Sequence, residues 1–326
     1  MIPERKISVA VLRGGPSSEH EVSLKTGESV LNNLHAGKYT ARDIVIDKNG
    51  AWHVVGTKKN PAQALTGVDV VFNAMHGEYG EDGQVQRILE QLSLPYTGSD
   101  VFGSVLAMNK ISAKRRLATE GIKTPAHAVI RKEQGNIGEQ ILSTFRSLPL
   151  PVIIKPANLG SSVGMSVARD FSTFEAGVYT ALKHADVILI EEFIKGKEAT
   201  CGVVERFRGK DIYSLLPIEI RPPADKEFFD YEAKYSGRSE EICPGNFSPE
   251  EMREIQRLAA VAHQSLGLRH YSRSDFMVTP KRGIYYLESN TLPGLTQESL
   301  MPKALGAIGS GLPEFLDHVL MLALAN

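Results

Sequence analysis

Apolar positions recur along this chain with two periods, and their alternation outlines the fold. Residues 7–12 (ISVAVL) form a short continuous apolar run that ends at Gly14-Gly15, the pattern of a buried strand. From about Val22 to Leu34, Leu24, Leu31 and Leu34 fall at helical spacing. ARDIVID (41–47) and GVDVVFNAM (67–75) read as further strands, and QVQRILEQL (84–92) as a helix with Val85, Ile88, Leu89 and Leu92 on one face. Strands alternating with helices predict a parallel α/β unit over roughly the first 100 residues.

Another helix is predicted from Lys110 to about Gly121, followed by a polar stretch at 132–138. PVIIKPANLGSSVGMSVARD (151–170) reads as strand, glycine-rich turn, strand. VILIEEFIKG (187–196) is an apolar strand, and residues 201–220 look like a hairpin turning near Gly209. Residues 221–249 are charged and proline-punctuated and fit no element, which marks a functional or a disordered loop. PEEMREIQRLAAVAHQSLG (249–267) is a helix with Ile255, Leu258, Ala259 and Ala262 in register. YSRSDFMVT (271–279) and GIYYLESNT (283–291) close the pattern as paired strands.

With 326 residues, the chain needs more than one core. The net charge of -1 provides no global basic field for nucleic acid or an anionic membrane, so an anionic ligand needs a local cluster. Cys201 and Cys243 make neither a metal-type pair nor a disulfide framework and suit a reducing compartment. The N-terminal apolar run is too short for a signal peptide, and Asp317 and His318 break the longest run near the C-terminus. These features lead to the expectation of a cytoplasmic protein without a membrane span.

Three segments carry candidate chemistry. In GGPSSEHEVS, Ser18 and Glu21 have capping-box spacing, which leaves Glu19 pointing from the top of a strand at the usual ligand edge of an open α/β sheet, although a plain surface carboxylate fits equally. In KPANLGSSVGMS, Lys155 ends an apolar run, where a lysine calls for an anionic partner. Gly160, Ser161, Ser162 and Gly164 make a donor-rich turn able to close over phosphate oxygens, although an ordinary hairpin turn fits too. The same residues match G-x-S-x-G with Ser162 as a hydrolase nucleophile, but that motif requires a following helix and MSVAR alternates like a strand. Arg273 and Asp275 lie two apart on one strand, as do Glu288 and Asn290 on the next. Paired through a turn near Gly283, they converge as a hard-oxygen set suited to Mg²⁺ with nucleotide phosphates; the plainer alternative is a cross-strand ion pair.

Taken in order, GGPSSEHEVSL, HGEYGEDG, KPANLGSSVGMS, FFDYEAKY and LESNTLPG resemble the D-alanine–D-alanine ligases of the ATP-grasp superfamily over nearly the whole chain. The resemblance implies an α/β fold: an N-terminal parallel (pre-ATP-grasp) domain, 1–109, then an ATP-grasp fold with a central subdomain, 110–197, and a catalytic subdomain, 198–326, bearing a lid at about 221–249. It implies two D-alanines and ATP as substrates, two Mg²⁺ with Mn²⁺ able to substitute, a homodimer, and a role in peptidoglycan synthesis. A ligase of the same fold making D-alanyl-D-lactate or another dipeptide is the alternative.

By the same resemblance, Lys110, Lys155 and the loop Gly160, Ser161 and Ser162 contact phosphates. Glu191 and the backbone near Ile194 read adenine, and Glu198 holds the ribose. Asp275, Glu288 and Asn290 bind metal, while Glu19, with His76 nearby, takes the first ammonium. Lys234, Ser299 and Leu300 bind the second substrate, and Arg273 with the Gly294 N–H faces the developing oxyanion. Tyr231, Lys234 and Tyr235 ride on the lid, Tyr235 bonding to Ser161 and Glu19 as a selector for an amine nucleophile. Asn109, Ser274, Ser289 and Glu298 depart from the commonest family pattern; Glu298, if turned inward, would repel an incoming carboxylate.

Overall fold

Strand register divides the chain among three sheets in a computed structural model that describes residues 5–158, 164–223 and 239–325. The first contains β1 (Ile7–Gly14), β2 (Tyr39–Ile46), β3 (Trp52–Val54), β4 (Thr57–Lys59) and β5 (Val70–Asn73), in the order β4-β3-β2-β1-β5. Its center is parallel, with β1 between β2 and β5, as the βαβ pattern predicts. The β2–β3 and β3–β4 pairs are antiparallel, because short turns connect them and no crossover helix intervenes. The helices of this region are α1 (His20–Asn33), α2 (Pro61–Ala64) and α3 (Gln84–Gln91). Val85 and Leu89 of α3 are buried, as its periodicity requires.

Helices α4 (Val101–Met108) and α5 (Lys110–Ala118) lead to the second sheet: β6 (His127–Arg131), β7 (Val152–Pro156), β8 (Ser166–Ala168) and β9 (Val187–Glu192). Its order is β6-β9-β7-β8, with antiparallel pairing, and α6 (Ile137–Ser147) and α7 (Phe171–Ala181) cover it. Helix α6 begins inside the stretch expected to be a polar connection, where the Asn136 side chain accepts the Gly138 N–H. A strand follows the glycine-rich turn, as MSVAR predicted, so the strand–turn–helix context of a serine hydrolase is absent.

The third sheet comprises β10 (Lys197–Phe207), β11 (Lys210–Ser214), β12 (Ile218–Arg221), β13 (Glu240–Ile242), β14 (Tyr271–Thr279) and β15 (Gly283–Asn290). The order is β13-β12-β10-β14-β15, with β11 also on β10. Helix α8 (Pro249–Ser265) starts at a full capping box between Ser248 and Glu251 and buries Ile255, Leu258, Ala259 and Ala262. The chain then adds α9 (Leu300–Ala307) and α10 (Leu312–Leu324).

The cores do not follow chain order. Val9, Val11 and Phe72 of the first sheet share a core with Phe315, Leu316 and Leu320 of α10. Ala113 and Leu117 of α5 pack with Ala199, Phe276 and Leu258 of the third sheet and α8. These two shared cores tie the first sheet and helix α5 to the third sheet, and the charged side chains along that junction form the candidate cleft. Among the described residues no single helix is long and apolar enough to cross a membrane.

Candidate active site

Glu19, His76 and Glu81 form one end of the cleft. Glu19 is the N-cap residue of α1, and no side chain caps that helix. The expected Ser18–Glu21 capping box is therefore not formed. Ser17 takes the local role: its hydroxyl accepts the Glu19 N–H at 3.1 Å and donates to the His76 carbonyl at 2.7 Å. Glu21 faces solvent and lies 3.7 Å from Lys48. This arrangement aims Glu19 at the HGEYGEDG turn, where a Cβ on Gly77 would come within 2.8 Å of Glu19 Oε2. Gly77 also has φ +72°, so a glycine meets both requirements.

His76 is buried, and its Nε2 is 2.8 Å from Thr26 Oγ1. Burial lowers its pKa, and the nearby Glu19 carboxylate opposes that shift. Glu81, also buried, accepts the Gly77 N–H at 2.8 Å, the Leu292 N–H at 2.9 Å and the Thr291 hydroxyl at 3.0 Å. Burial and then the neighboring Glu19 push its carboxyl up to about 7.

The middle of the cleft is the β14–β15 pair. Asp275 lies opposite Glu288 and Arg273 opposite Asn290, the predicted convergence, with an irregularity just after Asp275. Arg273 donates Nε to Asp275 Oδ1 and Nη2 to Oδ2, both at 3.1 Å. Burial alone would lower the pKa of Arg273; Asp275 outweighs it and raises it. Thr200 Oγ1 donates to Asp275 Oδ1 at 2.5 Å. Asp275 Oδ1 thus has two donors and Oδ2 one, which leaves a lone pair on Oδ2. Asn290 Oδ1 accepts the Leu292 N–H at 2.9 Å and likewise has capacity left.

Among the described residues no cluster of three or more His, Cys, Asp or Glu could hold a metal by itself. Two carboxylates and an amide nevertheless fit Mg²⁺, which takes one or two carboxylates and completes its shell with phosphate and water.

The other end of the cleft is cationic. Lys110 Nζ lies 3.3 Å from Glu288 Oε2. Glu191 is buried between Lys114 at 2.7 Å and Lys155 at 2.5 Å. Burial would raise the Glu191 carboxyl, but the two lysines overcome it and hold it at about 2. The Glu191 carboxylate is therefore already engaged, and its backbone lies inside the second sheet between His127 and Ile153, with buried Ile194 just beyond the strand. Lys114 was missed in the sequence, although Lys110 and Lys114 stand at i, i+4 on one helix and flagged a shared face. It is 1% exposed and also donates to the Leu287 carbonyl at 3.0 Å. Burial lowers its pKa.

Electrostatic contacts link the ends through the middle: Arg273 feels Asp275, Glu288 and Glu81, and Lys155 feels Glu191 and Glu288. Such a cleft can bind an ammonium at one end, polyphosphate at the other, and a divalent cation between them.

Comparison with known proteins decides the family. A model of the D-Ala D-Ala ligase C-terminus matches residues 117–321, and one of the N-terminus matches 8–63 and 53–99. A D-alanine–D-alanine ligase from Syntrophotalea carbinolica is 39% identical over 96% of this chain and 94% of its own. One from Citrifermentans bemidjiense is 40% identical over 98% and 97%. The chain belongs to the D-alanine–D-alanine ligase family. Among solved structures, the VanG D-Ala:D-Ser ligase from Enterococcus faecalis superposes with TM-score 0.85 at 28% identity, covering 98% of this chain and all of that one. The D-alanine-D-alanine ligase from Coxiella burnetii gives TM-score 0.84 at 27%, covering 99% and 95%. The α/β, ATP-grasp reading of the fold holds on these matches.

In this ligase-family chain, Gly160, Ser161, Ser162, Tyr231, Lys234 and Tyr235 lie outside the described residues. Glu198 is on β10, opposite Ile220 and Met277. Ser299 is the N-cap residue of α9, and its Oγ lies 2.7 Å from Thr296 Oγ1. A Cβ on Gly294 would meet that Oγ at 2.9 Å, so Gly294 and Ser299 are neighbors. Leu300 is half-buried against Ile220. Glu298 is 87% exposed and turned outward, toward Lys303. Ser274 and Ser289 bond to each other at 2.7 Å beside Asp275 and Glu288, so both substitutions are accommodated as one pair.

Proposed function

We propose that this protein joins two D-alanine molecules into D-alanyl-D-alanine with ATP, releasing ADP and phosphate for peptidoglycan precursor synthesis. The observation that carries this reading is the connected line of charged side chains from Glu19 through Arg273, Asp275 and Glu288 to Lys110 and Lys155, joined by ion pairs and electrostatic contacts. A carboxylate does not condense with an amine at neutral pH. The first D-alanine, its ammonium on Glu19, directs its carboxylate oxygen to the γ-phosphorus, and ADP leaves. Lys110 and Lys155 offset charge on the phosphates. A divalent cation held by Asp275, Glu288 and Asn290 supplies Lewis-acid stabilization of those oxygens when bound; the reading takes two ions, Mg²⁺ or Mn²⁺.

The amine of the second D-alanine then attacks the acyl carbon, and the C–O bond to phosphate breaks. Its carboxylate is assigned to Ser299, Leu300 and Lys234. Asp275 occupies Nε and Nη2 of Arg273 and fixes the guanidinium plane; Nη1 makes no hydrogen bond among the described residues and is directed, with the Gly294 N–H, at the oxyanion. Losing one such donor lowers kcat by ~10²–10³-fold.

The three sheets support subdomains of 1–109, 110–197 and 198–326, with the lid at about 221–249. A cytoplasmic setting accords with the two free cysteines. A homodimer accords with the apolar patch at Phe102 and Val105, 70% and 47% exposed; light scattering at micromolar concentration tests it. Phosphate release with ATP, Mg²⁺ and D-alanine, compared with L-alanine and with D-alanine plus D-lactate or D-serine, tests the function. Release that ignores D-alanine refutes the reading. Preferential ester formation, or mixed dipeptide with D-serine, selects the same-fold alternative.

A further inference from the structure

Glu81 is a buried carboxylate to which the ligation chemistry gives no task. It lies on the turn between β5 and α3, yet two of its three hydrogen bonds reach Thr291 and Leu292, more than 200 residues away in the chain. Among the described residues it forms no ion pair. Its two oxygens instead collect three donors: Oε2 takes the Gly77 N–H, and Oε1 takes the Leu292 N–H and the Thr291 hydroxyl.

Each donor belongs to a segment that carries site residues. Gly77 packs directly against Glu19 Oε2. The Leu292 N–H is shared with Asn290 Oδ1, and Thr291 and Leu292 form the strand exit between Asn290 and Gly294. The Leu292 side chain is buried in the core of the first sheet, so the exit loop is anchored by side chain and backbone together.

We propose that Glu81 is a positioning residue that fixes the Asn290–Gly294 loop against the Gly77 turn, and thereby holds the metal and oxyanion groups in register with the ammonium-binding Glu19. The inference rests on the ligase reading of the cleft. In its ionized form a carboxylate suits the task because it offers only acceptors. A glutamine would turn its NH₂ toward either Gly77 or Leu292 and leave one buried N–H facing another donor. The loop or the turn would shift, and a displacement of ~1 Å at a reacting group can slow turnover ~10²-fold.

The test uses the full chain with Glu81→Gln and, separately, Thr291→Val, which keeps the carboxylate and both N–H bonds. The wild type is assayed first: if it does not ligate D-alanine, the reading of the cleft fails, whatever Glu81 does. If it ligates, Glu81→Gln is expected to lower kcat ~10²-fold while the KM for ATP stays within about threefold. Thr291→Val is expected to change kcat in the same direction and less. Active protein is counted by nucleotide binding, so that loss of folded enzyme is not read as loss of rate. An unchanged kcat per nucleotide-binding molecule in Glu81→Gln overturns the proposal and leaves Glu81 a tether. Should that variant fail to fold, an unchanged kcat in Thr291→Val overturns it instead.

Discussion

At the end of the cleft assigned to nucleotide, Glu191 is buried between two lysines; at the end assigned to amino acid, Glu81 is buried among two backbone N–H groups and a hydroxyl. The first arrangement holds its carboxyl at about 2, and the second lets burial and Glu19 push it to about 7. The difference separates two uses of a buried charge. An ion-paired carboxylate keeps cations in place, and those cations can exchange partners with an arriving polyphosphate. A carboxylate held only by neutral donors fixes geometry, because each donor reaches one lone pair along a set direction. The cleft therefore has an exchangeable end and a rigid end, with the β14–β15 pair and its proposed cation site between them.

The largest expected effect lies where the two ends meet. Glu288→Gln keeps the shape but removes a charge facing both Lys110 and the cation site, and turnover is expected to fall by ~10³-fold or more while the circular dichroism stays native. Near-normal phosphate release at millimolar Mg²⁺ would show that Glu288 holds no metal. Next is Glu19→Gln at the rigid end. Losing the partner of a buried ammonium corresponds to ~3–5 kcal/mol, so kcat/KM for the first D-alanine should fall ~10²–10⁴-fold. Nucleotide affinity should hardly move; the opposite pattern, weaker ATP with unaltered D-alanine dependence, would reassign Glu19.

Lys114→Met sharpens the contrast from the exchangeable end. It leaves Glu191 with Lys155 alone and should lower the unfolding free energy by ~3 kcal/mol at neutral pH, measured by urea titration. It should also weaken ATP binding, because Lys155 becomes the sole counterion. The sign of the pH effect follows from linkage. With a folded-state value of about 2 against an ordinary 4.5, Glu191 adds stability above pH 4.5 that is lost as pH falls toward 2. In Lys114→Met that acid limb should move to higher pH, and an unmoved limb would mean that Lys155 alone sets the carboxyl. Glu81, raised from 4.5, acts the other way: its contribution is full below pH 4.5 and fades as pH rises through about 7. The smallest effect belongs to Glu298→Gln, which should leave both KM values within about twofold because the side chain points to solvent. A larger change would place Glu298 at the second substrate after all.

The elements whose periodicity is strong were legible in the sequence. Helix α8 declares itself through four apolar residues in register, and the β14–β15 pairing through the two-residue spacing of Arg273/Asp275 and Glu288/Asn290. Helix α1 was legible but its cap was not: Ser18 and Ser17 are one residue apart, and the His76 carbonyl, distant in sequence, selects Ser17. Lys114 and Glu81 were hidden for a similar reason. Each looks like an ordinary charge on a polar face until partners 77 and about 210 positions away bury it. The antiparallel edge of the first sheet was missed because β3 and β4 are three residues each, too short for a period to register.

The shared core of the first sheet and α10 has a bearing on how the chain is made. Strand β5 ends at Asn73 and α10 begins at Leu312, so Val9, Val11 and Phe72 are synthesized far ahead of Phe315, Leu316 and Leu320 that cover them. At ~5–20 residues per second, the gap lasts on the order of ten to fifty seconds. Through that interval the nascent first sheet has an uncovered apolar face, the kind of surface that chaperones hold and that crowded chains use to aggregate. The first sheet is thus made well before α10 and is among the last to close.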